Sequence, residues 1–241
     1  MSVYAACFQR RLIRIPTRNG KRHENIQSSR YTEVMEREMK MDGTEFRNFK
    51  WINESRCVNE GNRLIMEAPG ASDFFCNPGA VSQQGSTPEI VANAPFFYTE
   101  VTGDFVMSVQ VSHAFQDTYD AATIMVMKDF EIWAKACFEK TDFDTHAVVS
   151  VVTKHTSDDA NGCNIDGDTV WLKVARVDNS FSFHYSLAGE LFFMMRYFNL
   201  PVEKTIKVGL VAQAPTGTGG ERIFENFSLE QKTVKNIRYG E

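Results

Sequence analysis

The chain is predicted to be an all-β protein, a jelly-roll-like β-sandwich of two antiparallel sheets spanning about residues 41–232. Apolar and polar residues alternate with a period of two along this part of the chain, and turn signals rich in Gly, Asn and Asp separate the alternating segments. No amphipathic helical segment of comparable strength interrupts the series. Strands that each have one apolar face, with no helices to cover them, must bury those faces against a second sheet.

The clearest strand is 104-DFVMSVQVSH-113, in which every second residue from Phe105 is apolar. This alternation predicts one face in the core and one face in solvent. Similar strands are predicted at 146-HAVVSVVTK-154, 169-TVWLKVAR-176, 181-FSFHYSL-187 and 206-IKVGLVAQ-213. The residues predicted to face the core are Phe105, Met107, Val109, Val111, Val170, Leu172, Val174, Phe181, Phe183, Tyr185, Leu187, Ile206, Val208, Leu210 and Ala212.

The segment 129-DFEIWAKACFEK-140 also alternates, with Ile132, Ala134, Ala136 and Phe138 on its core face. Its other face would therefore expose Trp133 between the charged residues Glu131 and Lys135. Trp171, with Lys173 beside it, has the same status on its own strand. Three interpretations stay open for such an exposed tryptophan: it stacks a sugar ring, it forms the hot spot of a protein contact, or loops cover it and it merely packs.

Residues 1–40 differ from the rest, since they contain nine Lys or Arg and only four Glu. The part from 1 to 22 has no acidic residue, a composition found in mitochondrial presequences. The alternatives are a disordered basic tail, or a start of translation at Met35, Met39 or Met41. We expect a poorly ordered or partly helical N-terminal extension, a C-terminal tail at 233–241, and a cytoplasmic protein unless residues 1–22 act as a presequence.

Composition argues against several classes of function. The whole chain carries a formal net charge of −5, so residues 41–241 carry −10, which is unfavourable for binding phosphate backbones. The longest apolar runs are far shorter than the roughly 20 residues of a membrane span. The five cysteines are scattered and never in CxxC spacing, which argues against a disulfide framework or a zinc site. We therefore expect neither nucleic acid nor membrane as a partner.

Between Phe49 and Leu229, ten phrases follow one another in the order of a known family. They resemble the concanavalin A-like domains of unknown function whose fungal members are called regulation of enolase proteins. The resemblance implies a concanavalin A-like jelly roll, a link to carbohydrate metabolism and a metabolic-enzyme partner such as enolase. The phrases are 49-FKWINE-54, 73-DFF-75, 96-FFYTEVTGDF-105, 119-YDAATIMV-126, 131-EIWAKACFE-139, 148-VVSVVTKHTSDDANG-162, 170-VWLKVAR-176, 185-YSLAGELFFMMRYF-198, 206-IKVGLVAQAP-215 and 224-FENFSL-229.

Two departures from that family affect the expected site. The family tends to have Gln-Ala-Gly after Tyr-Asp, where this chain has Ala121-Ala122-Thr123. Its hairpin usually carries Asp-Gly and then a Trp, where this chain has Ala188-Gly189 and then Phe192. Arg196 and the run Ser157-Asp158-Asp159 do match, so the resemblance carries them over as binding candidates.

No catalytic residue is predicted. Glycoside hydrolysis needs two carboxyl groups about 5 to 9.5 Å apart, whereas Glu131 and Glu139 are separated by eight residues of strand, roughly 26 Å. A pairing of Asp120 with a carboxylate of a neighbouring strand stays open. The oxygen-rich run 157-SDDANGCNIDGD-168 suits hard cations by composition but lacks a regular ligand spacing, so we expect a solvated loop, no metal and no cofactor.

The leading hypothesis is a non-enzymatic binding or regulatory protein with a carbohydrate- or partner-binding face. The residues predicted to form this face are Asp120, Trp133, Lys135, Trp171, Lys173 and Arg196, with Ser157, Asp158 and Asp159 as weaker candidates. The rival is a glycoside hydrolase with an unrecognised carboxylate pair, which requires two converging carboxylates, one with a raised pKa, in a cleft beside Trp133. The deciding observation is whether Trp133 and Trp171 line one open groove.

Overall fold

The computed structural model describes residues 44–77 and 89–241, which belong to one compact unit, residues 42–241. The predicted N-terminal extension lies outside the described residues. One short 3-10 helix, Thr44–Phe46, precedes the strands. The strands are β1 Lys50–Ile52, β2 Cys57–Asn59, β3 Arg63–Pro69, β4 Phe74–Asn77, β5 Glu89–Ala92, β6 Phe96–Thr102, β7 Phe105–His113, β8 Ala121–Met127, β9 Ile132–Lys140, β10 His146–Lys154, β11 Thr156–Asn164, β12 Thr169–Val177, β13 Ser180–Ser186, β14 Phe193–Asn199, β15 Thr205–Gln213 and β16 Gly219–Glu230.

Fourteen of the described strands form two seven-stranded sheets, and the pairings between them are antiparallel. Sheet A has the order β1-β6-β15-β8-β9-β10-β11, and sheet B has the order β14-β13-β12-β7-β16-β3-β2. Strands β4 and β5 form a separate hairpin. The prediction of an all-β sandwich of two antiparallel sheets is confirmed. Within the described ranges, no helix is long and apolar enough to cross a bilayer.

The core lies between the two sheets, where the alternation of the strands predicted it. Every residue predicted from the alternation to face the core does so except Leu187, since β13 ends at Ser186 and leaves Leu187 66% exposed in the following turn. At one end of the core the rings of Phe46 and Phe49 pack against Phe97 and Phe227. These contacts hold the start of the described chain against both sheets.

The expectation of one solvated face per strand is wrong for the centre of sheet A. Strands β8 and β9 are buried on both faces, as is most of β10. Phe74 of the β4–β5 hairpin packs on Trp133 with ring centroids 6.0 Å apart, and also contacts Phe96. The outer face of sheet A therefore holds a second apolar cluster beneath this hairpin.

Two further segments differ from the sequence expectations. The oxygen-rich run from 157 is not a loop, because residues up to Asn164 belong to β11, the exposed edge strand of sheet A. Residues 231–241 pack on the outer face of sheet B, where Val234 contacts Val106 and Ala175. The Ser182 hydroxyl donates to the Ile237 carbonyl at 2.7 Å and fixes this segment on the sheet.

Candidate functional site

The two tryptophans of the predicted face lie on opposite sides of the sandwich. Trp133 is on β9 of sheet A and Trp171 is on β12 of sheet B, and both side chains point away from the shared core. They cannot line one groove, so the single binding face is wrong. Alternation assigns a residue to one face of its own strand, but it does not say to which sheet that strand belongs.

Trp133 is buried, with only 1% of its surface accessible. Its indole Nε1 donates to the Phe130 carbonyl at 3.3 Å, and Phe74 covers its ring. The face assignment from alternation is correct, but the exposure expected for this tryptophan is wrong because the β4–β5 hairpin lies over it. Of the three interpretations, packing describes Trp133.

Asp120 points into the end of the sandwich rather than onto a binding face. Its Oδ1 lies 2.9 Å from Nη2 of Arg222, and both side chains are almost inaccessible. Arg222 also donates from Nε and Nη2 to the Gln213 carbonyl, at 3.2 and 2.8 Å. This buried ion pair joins the residue before β8 to β16, so Asp120 acts in the interior and not as a ligand residue.

Arg196 and the carried-over run on β11 join the edges of the two sheets. Arg196 Nη1 donates to the carbonyls of Ser150 and Asp158 at 3.2 and 3.0 Å, and its Nη2 lies 3.4 Å from Asp158 Oδ2. The Ser157 hydroxyl accepts from the Cys76 backbone N–H at 2.8 Å and so fastens β4 to β11. Each of these contacts holds strands together.

Trp171 and Lys173 lie on the outer face of sheet B. Trp171 is half-buried, and Gly189 rests against its indole so closely that a Cβ at this position would lie 2.7 Å from Cε2. Gly189 also has a φ of +79°, so the turn requires glycine on both counts. Lys173 is buried, with its Nζ 3.6 Å from the ring centroid of Phe192. The turn at Gly189 and the ring of Phe192 together cover most of this face beside Trp171.

Lys135 is the buried cation of the outer face of sheet A. Its Nζ donates to Asp73 Oδ1 at 2.7 Å and to Gln213 Oε1 at 2.9 Å. Burial alone would lower the pKa of Lys135, but the charge of Asp73 and its hydrogen bond outweigh burial, and the pKa ends above its ordinary value. Asp73 precedes β4, so this ion pair also ties the hairpin to the sheet.

Beside Lys135 the outer face of sheet A has a floor of small side chains. Ala121, Cys137, Ala147 and Val149 form a separate buried cluster on three neighbouring strands. Burial raises the pKa of the Cys137 thiol to about 12, so at neutral pH this group is a thiol and not a nucleophilic thiolate. We call this cluster, whose four members are at most 1% accessible, together with the polar side chains around it, the recess.

Glu139 is the main polar group of the recess. It lies opposite Ala121 on one side and Ala147 on the other. Burial raises its pKa to about 8; the charge of Lys135 opposes this shift and nearby carboxylates, Asp159 first, add to it. Glu139 is therefore mostly protonated at pH 7, and among the described residues its side chain has no hydrogen bond and no ion pair.

Three more side chains complete the recess. The Thr123 hydroxyl, opposite Cys137 on β8, is buried; it interacts with the Cys137 thiol and has no nitrogen or oxygen partner among the described residues. Asp159 is exposed on the edge strand, but partial desolvation of its carboxyl group raises its pKa; it stands in register with Lys135 two strands away. Tyr119 is partly exposed, and burial together with the charges of Asp142, Glu139 and Asp159 raises its pKa. The recess thus offers hydroxyl and carboxyl groups around a small apolar floor.

The strand register sets the backbone separation between the carboxylates Glu139 and Asp159 of the recess. Asp159 is aligned with Lys135, so it lies four residues along the strands and two strands across from Glu139. These offsets separate the two Cα atoms by roughly 16 Å, and the charge of Asp159 still contributes to the raised pKa of Glu139. In the described part of the chain, no group of three or more His, Cys, Asp or Glu side chains is placed to hold a metal ion.

Sequence reasoning found Lys135 and Asp159 but missed Asp73, Thr123 and Gln213, and it considered Glu139 only as a partner of Glu131. A usable signal was present. Asp73, Thr123 and Gln213 each lie inside one of the family-like phrases, and these phrases meet on the outer face of sheet A. A site is therefore indicated where several of the family-like phrases come together on one face of a sheet.

The model of the family described as "Protein of unknown function (DUF1349)" matches residues 51–232. The chain belongs to this family. A relative from Saccharomyces cerevisiae named Regulation of enolase protein 1 is 25% identical over 189 residues, which are 77% of this chain and 91% of the relative. The two positions where this chain departs from the expected Gln-Ala-Gly, Ala121 and Thr123, both lie in the recess.

Solved structures share the fold. A functionally unknown protein from Saccharomyces cerevisiae superposes with a TM-score of 0.69 at 24% identity, covering 79% of this chain and 100% of that one. The bifunctional GH43-CE protein of Bacteroides eggerthii gives a TM-score of 0.59 at 14% identity, over 78% of this chain and 24% of that protein. At these identities the likeness shows the β-sandwich fold alone.

Proposed function

We propose that the protein is a non-enzymatic binding protein whose recess takes a small, neutral, polyhydroxylated ligand such as a monosaccharide or polyol. The observation that carries this proposal is Glu139, a buried carboxyl group without a partner among the described residues. Buried polar groups are almost always hydrogen-bonded, and the Thr123 hydroxyl beside it has only the weakly accepting Cys137 thiol as a partner among the described residues. A ligand with several hydroxyl groups would satisfy both.

The charges of the recess favour a neutral ligand over an anionic one. The positive charge of Lys135 is balanced by Asp73 at 2.7 Å, and Glu139 is mostly protonated at pH 7. Asp159 and Asp142 add negative charge at the rim. A phosphorylated sugar would meet these carboxylates without a free cation from the described residues of the recess, so we expect it to bind more weakly than its neutral counterpart.

The biological setting is part of the same proposal. The relative named Regulation of enolase protein 1 supports a regulatory role in carbohydrate metabolism, in which the protein contacts a metabolic enzyme such as enolase. We propose a cytoplasmic location, with the mitochondrion as the alternative if residues 1–22 act as a presequence.

The test is a binding screen with the full chain at pH 7. Neutral monosaccharides, disaccharides and polyols, each beside its phosphorylated form, are titrated and followed by calorimetry and ligand-observed NMR. We expect a neutral ligand to bind, Ala147→Leu to abolish binding by filling the floor, and Glu139→Ala to weaken it about tenfold, the loss of one hydrogen bond. Glu131→Gln, just before β9 and outside the recess, is the control and should bind like the wild type.

Absence of binding by every neutral compound, or tighter binding of the phosphorylated forms, would contradict the proposal. The rival hydrolase has one favourable observation, because a carboxyl group with a pKa of about 8 suits a general acid. The same compounds as glycosides distinguish the two. Release of free sugar by the wild type, lost in Glu139→Gln, would establish hydrolysis in place of simple binding.

A further inference from the structure

The edges of the two sheets differ in how they are protected from pairing with another chain. Sheet A ends on β1 and β11, and sheet B ends on β14 and β2, in the part of the chain that the structure describes. Strands β1 and β2 have only three residues each. Strand β11 has nine residues, but it is almost wholly exposed and carries Asp158 and Asp159. Short length and charge are the usual devices that keep an edge from associating.

Strand β14 is neither short nor charged along its length. Its seven residues expose Phe193 by 49% and Tyr197 by 42%. The turn before it exposes Leu187 and Leu191 by 66% each. From Leu187 to Asn199 the charged residues are Glu190 and Arg196, whose charges cancel. This edge is apolar and neutral where the long edge of sheet A is polar and acidic.

We propose that β14 pairs antiparallel with β14 of a second copy of this chain, so that sheet B continues across a two-fold axis. A bulge interrupts the β13–β14 ladder between Phe183 and His184, and the regular ladder runs from Arg196 to Asn199. Backbone pairing is therefore assigned to Arg196–Asn199, near Tyr197. The side chains of Leu187, Leu191 and Phe193 pack against the second copy on either side of it.

The exposed side chains suit edge pairing better than docking of a flat face. Phe193 is in register with Tyr185 of the core face, whereas Tyr197 is in register with Ser182, which faces outward. The apolar groups thus lie on both faces of one strand. Edge pairing contacts cross-strand neighbours on both faces, whereas a face-to-face contact would use only one of them.

The area and the charge fit a second copy. The four exposed side chains supply about 400 Å² of apolar surface per copy, by the typical areas of large side chains. A standard interface buries about 800 Å² per partner, a little over half of it apolar. We call the surface formed by Leu187, Leu191, Phe193 and Tyr197 the strip. In a two-fold contact both partners use this same neutral apolar strip. Pairing through β11 would instead set Asp158 and Asp159 of two copies close together.

The test measures the mass of the full chain in solution. Analytical ultracentrifugation from nanomolar to high micromolar concentration should show a monomer and dimer in exchange. Tyr197→Lys places a charge in the paired strand and should leave a folded monomer, with folding checked by circular dichroism. Phe143→Lys removes an apolar side chain that is 76% exposed outside the strip, and it should dimerise like the wild type.

Hydrogen exchange supplies the second measurement. Those amides of Arg196–Asn199 that point away from β13 should exchange more slowly at high than at low protein concentration. A wild type that stays monomeric at every concentration overturns the proposal. So does a dimer that persists in folded Tyr197→Lys, an open-ended assembly, or exchange in β14 that does not depend on concentration. The recess lies on sheet A, so these results are independent of ligand binding.

Discussion

The outer faces of the two sheets carry the same short pattern, a tryptophan followed two residues later by a lysine. The burial and the contacts of these two side chains differ between the sheets. On sheet A, Trp133 and Lys135 are both buried, and the lysine is held by Asp73 and Gln213. On sheet B, Trp171 is half-buried, and Lys173 has the Phe192 ring at 3.6 Å but no hydrogen bond or ion pair among the described residues. The covering segment decides the role of each pair.

The covers differ in what they bring to the sheet. The β4–β5 hairpin brings Phe74 and Asp73, an apolar ring for the tryptophan and a carboxylate for the lysine. Residues 231–241 bring Val234 to an apolar part of sheet B and carbonyl groups to Ser182 and His184. Only the β4–β5 hairpin places a counterion in contact with its lysine. Lys135 is therefore part of a polar network, whereas Lys173 is not.

The largest difference is expected between the two tryptophans. Trp133→Ala should lower the free energy of unfolding by about 4 kcal/mol, since it opens a large cavity under the hairpin. Trp171→Ala should cost about 1 to 2 kcal/mol, because its ring is only half-buried. Urea denaturation of both variants measures these losses. Equal losses would mean that the two faces are covered equally well.

The two lysines should differ next. Asp73→Ala leaves the buried charge of Lys135 without its counterion and should cost about 3 kcal/mol of unfolding free energy. The double variant Asp73→Ala with Lys135→Met should recover most of that loss. Lys173→Met removes a buried cation that has no counterion in contact, and should be neutral or slightly stabilising. The comparison fails if Lys173→Met destabilises as much as Asp73→Ala.

The smallest expected effect concerns how the free energy of unfolding depends on pH. Glu139 on sheet A and the histidines of sheet B should act on different parts of the pH range. The pKa of Glu139 is raised to about 8, so its stabilising contribution is complete below its unfolded pKa near 4.3 and is lost as pH rises towards 8. Burial lowers the pKa of His113 to about 3 and of His184 to about 4, so these residues cost stability as pH falls below about 6.5.

Stability should therefore be greatest near pH 6.5, with a slope of roughly 1 kcal/mol per pH unit on either side. Urea midpoints between pH 4.5 and 8.5 measure the curve. Glu139→Gln, on sheet A, should flatten the alkaline side and make the acid side steeper, because Glu139 opposes the acid slope above its unfolded pKa. His184→Gln, on sheet B, should reduce only the acid slope. A wild-type curve that rises continuously to pH 8 would show that Glu139 is ionised in the folded protein.

Local pattern predicted much of the fold. The alternation at Phe105, Val109 and Leu172 placed these residues in the core because a strand repeats every two residues wherever it lies. The same rule placed Trp133 and Glu139 on the outer face of β9. It could not place the segment 73–77 over them, since that contact joins residues about sixty positions apart.

The sequence by itself determined that this chain forms antiparallel strands, which side of each strand faces the core, and the family to which it belongs. Only the tertiary structure decided which strands share a sheet and which segment covers each outer face. It set Asp120 against Arg222, Lys135 against Asp73, and left Glu139 without a partner among the described residues. Periodicity is a property of neighbours along the chain, whereas burial and ion pairing depend on residues brought together by folding.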